Sequence, residues 1–391
     1  MGKAVVIIGA NEFQEPLVLK AKEMGYTTHV FAWAEGAVAA RSADFFHPIS
    51  IVETDRILEI CKGIRPAAVA SCGSDLAAIT VNKLAHALGL PSNPEETAFI
   101  ATNKYAMRTA FLNAGVPTPR FAGVKEGDDL ISAAAGMRLP VIVKPTDRSG
   151  SRGITKLTEL SGLEDAVRAA CGQSFEKRAI IEEFADGPEY SCECVSQNGV
   201  HHILAVTKKF TTGAPHYIET GHIQPSGLGE EQLEKVRKAV FAALDALHIT
   251  TGASHSEFRL PPDTGEVFII EVGARMGGDC IGSDLVRLST GRDFLRMTLE
   301  SALGLPLTLN AEEGAETGFA AIRFIFGRED LARLERIKND PALSKKLVRV
   351  SDIRMGEEGG ITDSSSRFGF YIVKCESREE ALDLADLNEN E

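Results

Sequence analysis

A lysine closes the apolar run Val141-Ile142-Val143-Lys144-Pro145, and the loop Thr146-Asp147-Arg148-Ser149-Gly150-Ser151-Arg152-Gly153 follows directly. A cation at a strand end, beside a Gly/Ser loop offering backbone N–H groups, meets the needs of a polyphosphate. The same residues also describe a surface hairpin with an incidental lysine. Two carboxylates stand out further on: Glu257 in Ser256-Glu257-Phe258-Arg259-Leu260, and Glu271 within Ile269-Ile270-Glu271-Val272-Gly273-Ala274-Arg275. A lone buried glutamate costs on the order of several kcal/mol unless it is paired or metal-bound. Two of them on neighbouring strands, with phosphate oxygens, form the hard oxygen shell that Mg²⁺ prefers. An ion pair of Glu271 with Arg275 or Arg259 is the competing reading.

Two further segments carry weaker signals. In Ile180-Ile181-Glu182-Glu183-Phe184-Ala185-Asp186-Gly187-Pro188-Glu189-Tyr190-Ser191, an edge strand ending in acids can present carboxylates and backbone groups to an adenine rim. Glu189, past the turn, is placed for ribose hydroxyls, although a solvated acidic linker has the same composition. Pro215-His216-Tyr217-Ile218-Glu219-Thr220-Gly221-His222 brings an acid and a histidine together beside a glycine. It reads either as a polar-substrate loop or as plain loop polarity.

The elements that must position these residues alternate at first. Ala4–Ile8, Thr27–Ala32 and Ala67–Ser71 read as strands; Pro16–Met24, Ile51–Ile60 and Leu76–Leu88 read as helices. Such alternation predicts βαβ units on a parallel sheet, an α/β fold. The first turn, Gly9-Ala10-Asn11-Glu12-Phe13-Gln14, lacks the second and third glycines of a dinucleotide fingerprint, so the unit reads as Rossmann-like without that cofactor. No Walker A loop is present. Gly89-Leu90-Pro91-Ser92-Asn93-Pro94 marks a boundary. Beyond it lie a helix Asn103–Asn113, strands at Val141–Lys144 and Ala179–Glu183 with a helix near 162–172 between them, and strands from 189 to 209. A helix Glu230–Leu247 and the paired strands Ser256–Leu260 and Val267–Val272 follow.

At 391 residues the chain needs more than one core. A balance of 42 basic against 55 acidic residues, net −13, argues against nucleic-acid and anionic-membrane partners. The seven cysteines are scattered, with no zinc-type double pair, and read as small buried side chains in a reducing cytoplasm.

Taken in chain order, these constellations resemble the ATP-grasp superfamily of ADP-forming ligases. Lys104 matches the lysine opening the central domain, and Lys144 with Ser149, Gly150, Ser151 and Gly153 matches the grasp lysine and phosphate-covering loop. Glu182, Glu183, Phe184 and Ala185 match the adenine hinge and Glu189 the ribose glutamate; Glu257, Glu271 and Arg275 match the metal and intermediate-binding motif. Within the superfamily the chain looks most like carboxylate–amine ligases typified by L-amino-acid (dipeptide-forming) ligases: Glu219-Thr220-Gly221-His222 resembles their substrate-binding Glu-x-x-His, and Ile270–Asp279 their signature strand and loop. One departure is Gly273, where many members carry a metal-binding Asn.

The resemblance implies an N-terminal Rossmann-like pre-grasp domain (1–95), a central domain (96–117 and 186–310), an α+β lid (118–185), and a C-terminal α/β region (311–391) packed on the central domain. It implies ATP and Mg²⁺, with Mn²⁺ as an alternative, and small-molecule carboxylate and amine substrates, an amino acid among them; a homodimer is compatible. The implied chemistry is amide formation through an acyl phosphate, with Lys104 and Lys144 on the phosphates, Glu257 and Glu271 on the metal, and Arg275 meeting developing negative charge. Gly278 and Asp279 belong to the loop that sizes one substrate. There Asp279 either favours a cationic or hydroxyl-bearing substrate or caps a helix beginning near Ile281–Leu288. A purine-pathway enzyme acting on a ribotide, and a non-catalytic nucleotide-binding protein, are the alternatives.

Overall fold

The computed structural model describes residues 3–150, 152–213, 217–261, 265–354 and 366–388. Its strands form three sheets. The first contains β1 (Ala4–Ile8), β2 (Thr27–Ala32), β3 (Phe45–Pro48) and β4 (Ala68–Ala70), parallel in the order β3-β2-β1-β4. Alternate residues of β1 feed two cores: Val5 and Ile7 pack with Leu17, Val18 and Phe294, while Val6 and Ile8 pack with Ile57 and Leu84. Burial on both faces is why β1 is uniformly apolar instead of alternating. The short strand β3 escapes the sequence reading because it is only half-buried and ends in a proline, as edge strands do. At the first turn Gly9 has φ +99°, and a Cβ there would lie 2.6–2.9 Å from the Gln14 carboxamide. That carboxamide donates to the Cys72 carbonyl and accepts from the Asn11 N–H, so a protein side chain fills the space a pyrophosphate takes in dinucleotide folds.

The second sheet contains β5 (Phe121–Val124), β6 (Val141–Pro145), β7 (Thr155–Leu157) and β8 (Ala179–Glu183), antiparallel in the order β5-β8-β6-β7. Val141, Val143, Ala179 and Ile181 pack under the helix Leu163–Gln173 through Leu163, Ala166, Val167 and Ala170. Because strand side chains alternate, Ile142, Lys144 and Glu182 must then face the other way, into the cleft.

The third sheet is the frame of the molecule. β9 (Glu189–Gln197), β10 (Val200–Thr211), β11 (Glu219–Gln224), β12 (Gly252–Arg259), β13 (Phe268–Gly273), β14 (Phe319–Ile325), β15 (Leu347–Val350) and β16 (Gly369–Cys375) run antiparallel in the order β13-β12-β9-β10-β11-β14-β16-β15. The helix Glu230–Ala246 buries Val236, Val240, Ala243 and Leu244, one stripe at helical spacing, against Phe258, Ile269 and Val272. The region beyond residue 311 does more than pack on this sheet: β14–β16 extend it past β11, whose edge would otherwise be unpaired. All seven cysteines are buried and unbridged. Among the described residues no helix is long and apolar enough to cross a membrane.

Candidate active site

A cleft of about 460 Å³ opens between the second and third sheets and the start of the helix Asp75–Ala87. Its floor is a set of charged rows that strand register lays across one face. Glu257 on β12 is the direct antiparallel partner of Glu271 on β13, so two carboxylates meet on neighbouring strands. Like charges so placed repel, and cations offset them: Lys104 Nζ lies 3.2 Å from Glu271 Oε1, while Lys209 Nζ and His255 Nε2 both bond Glu257 Oε1. In the next row Arg259 pairs in register with Glu189, and its guanidinium donates to that carboxylate at 2.9 Å. Lys209 is buried and also reaches Glu189 at 3.2 Å and Glu219 at 3.5 Å. Burial opposes its charge, but the three glutamates overcome that and hold the ammonium well above its ordinary pKa. His255 is gripped on its other nitrogen by Glu193, which is fully buried and also accepts the Gly277 N–H at 2.9 Å. Burial alone would discharge the ring; Glu193 and Glu257 instead push it up to about 9.

The wall of the cleft is tied to this floor by Arg108. The helix Lys104–Ala114 begins at Asn103, whose side chain accepts the Ala106 N–H, and Lys104 and Arg108 share a face four residues apart. Arg108 Nε donates to Glu182 Oε2 at 2.7 Å, and its terminal nitrogens donate to the carbonyls of Ile269 and Ile270 at 3.1 and 2.8 Å. Lys144 Nζ holds the other oxygen of Glu182 at 2.6 Å. Burial raises the Glu182 pKa, but the two cations overcome it and bring the group down to about 2.

Arg275 leaves β13 and turns back to Asp75, donating from Nε and a terminal nitrogen at 2.8 and 3.2 Å. This pair explains Gly273. A Cβ there would sit 3.1 Å from both the Arg275 guanidinium carbon and Asp75 Oδ1, so the guanidinium lies in the space an Asn side chain would enter.

At the far end stand Glu219, His222, Asp279 and Arg367. Arg367 donates to Asp279 Oδ2 at 2.9 Å and to Glu219 Oε2 at 3.0 Å, with its guanidinium carbon 3.6 Å over the Phe324 ring. Asp279 has φ +53° and Cys280 φ +59°, two left-handed residues in succession after Gly277-Gly278. Of the two expectations for Asp279, which lines the cleft, the helix cap is not what forms. Cys280 occupies the cap position and no side chain caps the turn Ile281–Leu285, while the Asp279 charge is already matched by Arg367. Burial raises the Asp279 pKa, but Arg367 and His222 reverse this and hold it far below the usual carboxylate range. The anticipated pairs of Glu271 with Arg275 or Arg259 also differ from those found, since Lys104 takes Glu271, Asp75 takes Arg275 and Glu189 takes Arg259.

Comparison with known proteins accounts for this arrangement. Residues 137–284 match the family model described as the ATP-grasp domain. The chain has the ATP-grasp fold. It is 28% identical to the alanine–anticapsin ligase of Bacillus subtilis (strain 168) over 271 residues, covering 60% of this chain and 56% of that protein. The crystal structure of an L-amino acid ligase from Bacillus licheniformis superposes with a TM-score of 0.81 at 25% identity, over 98% of this chain and 97% of that one. Phosphoribosylglycinamide synthetase from Anaerococcus prevotii superposes with a TM-score of 0.77 at 22% identity, over 99% and 98% of the two chains, a likeness of fold. The chain spans less than two thirds of the length of the curated relatives it matches.

The ATP-grasp cleft is lined by Lys104, Lys144, Ser149, Gly150, Glu182, Glu183, Phe184, Ala185, Glu189, Glu219, His222, Glu257, Glu271, Arg275, Gly278 and Asp279. Gly153 stands outside the lining, with φ +67° and no room for a Cβ beside Pro145 and Gln173. Ser151 lies outside the described residues, as do Pro215 and His216. Within the lining, the Glu182 carboxylate is taken up by Lys144 and Arg108, and that of Glu183 by the Arg138 side chain and N–H. Both carboxylates of this segment are therefore already engaged.

Sequence reasoning missed Asp75, Arg108, Glu193, Lys209, His255 and Arg367, and it named Arg259 only as a partner for Glu271. Some carried a signal: Arg108 is four residues from Lys104 on one helix, and His255 and Glu257 are two apart on one strand. Arg367, distant from every other cleft residue in the chain, carried none.

Proposed function

We propose that the chain is an ATP-dependent carboxylate–amine ligase that forms an amide or peptide bond and releases ADP and phosphate. The observation that carries this reading is the cross-strand pair Glu257 and Glu271, flanked by Lys104 and Arg275 in one cleft. Its likeness to the alanine–anticapsin ligase and the L-amino acid ligase supports the substrate class.

The donor set fits a hard divalent cation, Mg²⁺ or Mn²⁺. Among the described residues no third His, Cys, Asp or Glu completes a metal-holding cluster with the two glutamates. That matches a site in which phosphate oxygens and water supply the remaining ligands. A cation held there draws negative charge from the phosphates. Lys104 and Lys144 bind the phosphate chain and the loop at 149–153 covers it, with residues 118–185 acting as a lid on a central domain of 96–117 and 186–310. The hinge at 182–185 receives the adenine through its main chain, and Glu189 the ribose. A substrate carboxylate attacks the γ-phosphate, ADP leaves, and an amine displaces phosphate from the acyl phosphate. Arg275, oriented by Asp75, is positioned to meet the charge of the tetrahedral intermediate. Residues 1–95 supply Asp75 and close that end of the cleft.

The test is ADP release over a panel of carboxylates and ribotides, with and without amino acids. Amine-dependent release is the expected result. Ribotide-dependent release would support the purine-type alternative, and no turnover a binding protein.

A further inference from the structure

Arg367 belongs to the segment just before β16, far in the chain from the ATP-grasp motifs, yet it reaches into the cleft. Three features set it apart from an ordinary structural ion pair. Its guanidinium carbon lies over the Phe324 ring, 3.6 Å from the centroid, while its terminal nitrogens donate to Glu219 and Asp279. Its Nε is buried without a hydrogen-bond partner among the described residues. Beside it His222, also buried, has neither ring nitrogen hydrogen-bonded among the described residues, the Asp279 carboxylate lying 3.7 Å from Nε2. Buried polar groups left unmatched in this way are destabilising and mark a place where a ligand completes the set. Asp279 and Cys280 hold the facing loop in left-handed backbone that only strong local contacts sustain.

We propose, on the basis of the ligase reading, that Arg367 anchors the free carboxylate of the amino acid that supplies the amine, with Glu219 and Asp279 beside it as acceptors for ammonium groups. No contact joins Arg367 to Glu271, Arg275 or Lys104. Its link to the metal glutamates runs through Glu219 and Lys209, so a group it binds is held apart from the phosphate end. It therefore holds a charge that does not react. The planar fork matches a carboxylate, and the incoming group takes over donors now shared with Glu219 and Asp279. Those acids keep Lys209 and His222 at 3.5 and 3.7 Å as neighbouring donors, so the exchange does not strand a bare buried anion. The amine substrate is thus an α-amino acid with its carboxylate free, in preference to the corresponding amide or a simple amine.

The experiment uses the full chain with Mg²⁺-ATP and a panel of L-amino acids, each as the acid and as its carboxamide. Wild type is expected to prefer the acid, and Arg367→Gln to raise the KM for the acid about 10- to 100-fold while leaving those for the amide and for ATP unchanged. Arg367→Lys should recover part of the preference. Equal KM increases for acid and amide, or an increase for ATP, would overturn the assignment and leave Arg367 a packing residue. If wild type shows no amine-dependent ADP release, the ligase reading fails separately. The anchor is then read by calorimetry of the same acid and amide pairs on the chain loaded with a non-hydrolysable ATP analogue. There, loss of acid-over-amide preference in Arg367→Gln supports it, and no preference in wild type refutes it.

Discussion

Glu182→Gln tests the electrostatic joint between β8 and β13. Glu182 on β8 is 2% exposed and sits between Lys144 on β6 and Arg108, whose other nitrogens hold the Ile269 and Ile270 carbonyls beside Glu271. Its carboxyl falls from 4.5 to about 2, which at about 1.36 kcal/mol per pKa unit corresponds to roughly 3 kcal/mol. The folded-state value is depressed, so that stability is complete above about pH 4.5 and is lost as the pH falls through 2. The Gln variant leaves two buried cations without their anion, a change that typically costs about 3–5 kcal/mol. The two routes agree on about 3 kcal/mol at neutral pH. Three sheets need not unfold together, and Trp33, the single tryptophan, is exposed just beyond the end of β2, so a global fluorescence midpoint is a poor reporter. Hydrogen exchange at the amides of β6 and β8 reads the joint directly. Their protection should drop about 100-fold at pH 7, and the variant should lose the acid-dependent weakening that wild type shows between pH 4.5 and 2. Wild-type protection in Glu182→Gln, with the same acid dependence, would refute the claim that this triad holds β8 to β13.

The remaining predictions concern turnover. Glu271→Gln should abolish ADP formation with an unchanged circular dichroism spectrum, since it removes a metal charge at constant volume; near-normal turnover at saturating Mg²⁺ would remove Glu271 from the metal site. Arg275→Ala should lower kcat by roughly 10²–10³ and affect the ATP KM less. Asp75→Asn should give a smaller kcat loss, because it only orients that guanidinium, and a loss confined to KM would contradict both roles. Gly277→Ala places a Cβ 2.7 Å from His255 Nδ1 and 2.8 Å from Glu193 Oε1, a clash with a buried pair. It should lower the melting temperature and raise the Mg²⁺ requirement together, and a variant with wild-type values for both would show that the loop yields freely.

What the sequence made legible follows physical lines. β1, β2, β6 and β8 were readable because buried strands are short, apolar and bounded by turn residues. Lys144, Glu257 and Glu271 were readable because a charge inside such a run is conspicuous. The pairings were not. The competing reading paired Glu271 with Arg275 or Arg259, yet register puts Glu257 opposite it and a helix from elsewhere brings Lys104. Lys209, in Thr207-Lys208-Lys209-Phe210, looks like half of a surface pair until β10 is enclosed between β9 and β11. Asp75 and Arg367 come from opposite ends of the chain, and no local pattern says that they share a cleft.

Five of the cations in this cleft are matched by carboxylates before any ligand enters, whereas Arg148 and Arg152 in the lining have no carboxylate partner among the described residues. Lys144 has Glu182, Lys104 has Glu271, Lys209 has three glutamates, Arg275 has Asp75, and Arg367 has Glu219 and Asp279. A set of bare cations awaiting a nucleotide would be unstable once desolvated, so paired carboxylates are the form in which such a site can be folded and stored. Binding at these five groups is then an exchange of partners rather than a gain of new ones, and part of the attraction they offer a phosphate is offset by the carboxylate it displaces. That argues for modest ground-state affinity. It leaves the larger gain for the moment when charge appears where no carboxylate competes, beside Arg275 in a cleft closed to water.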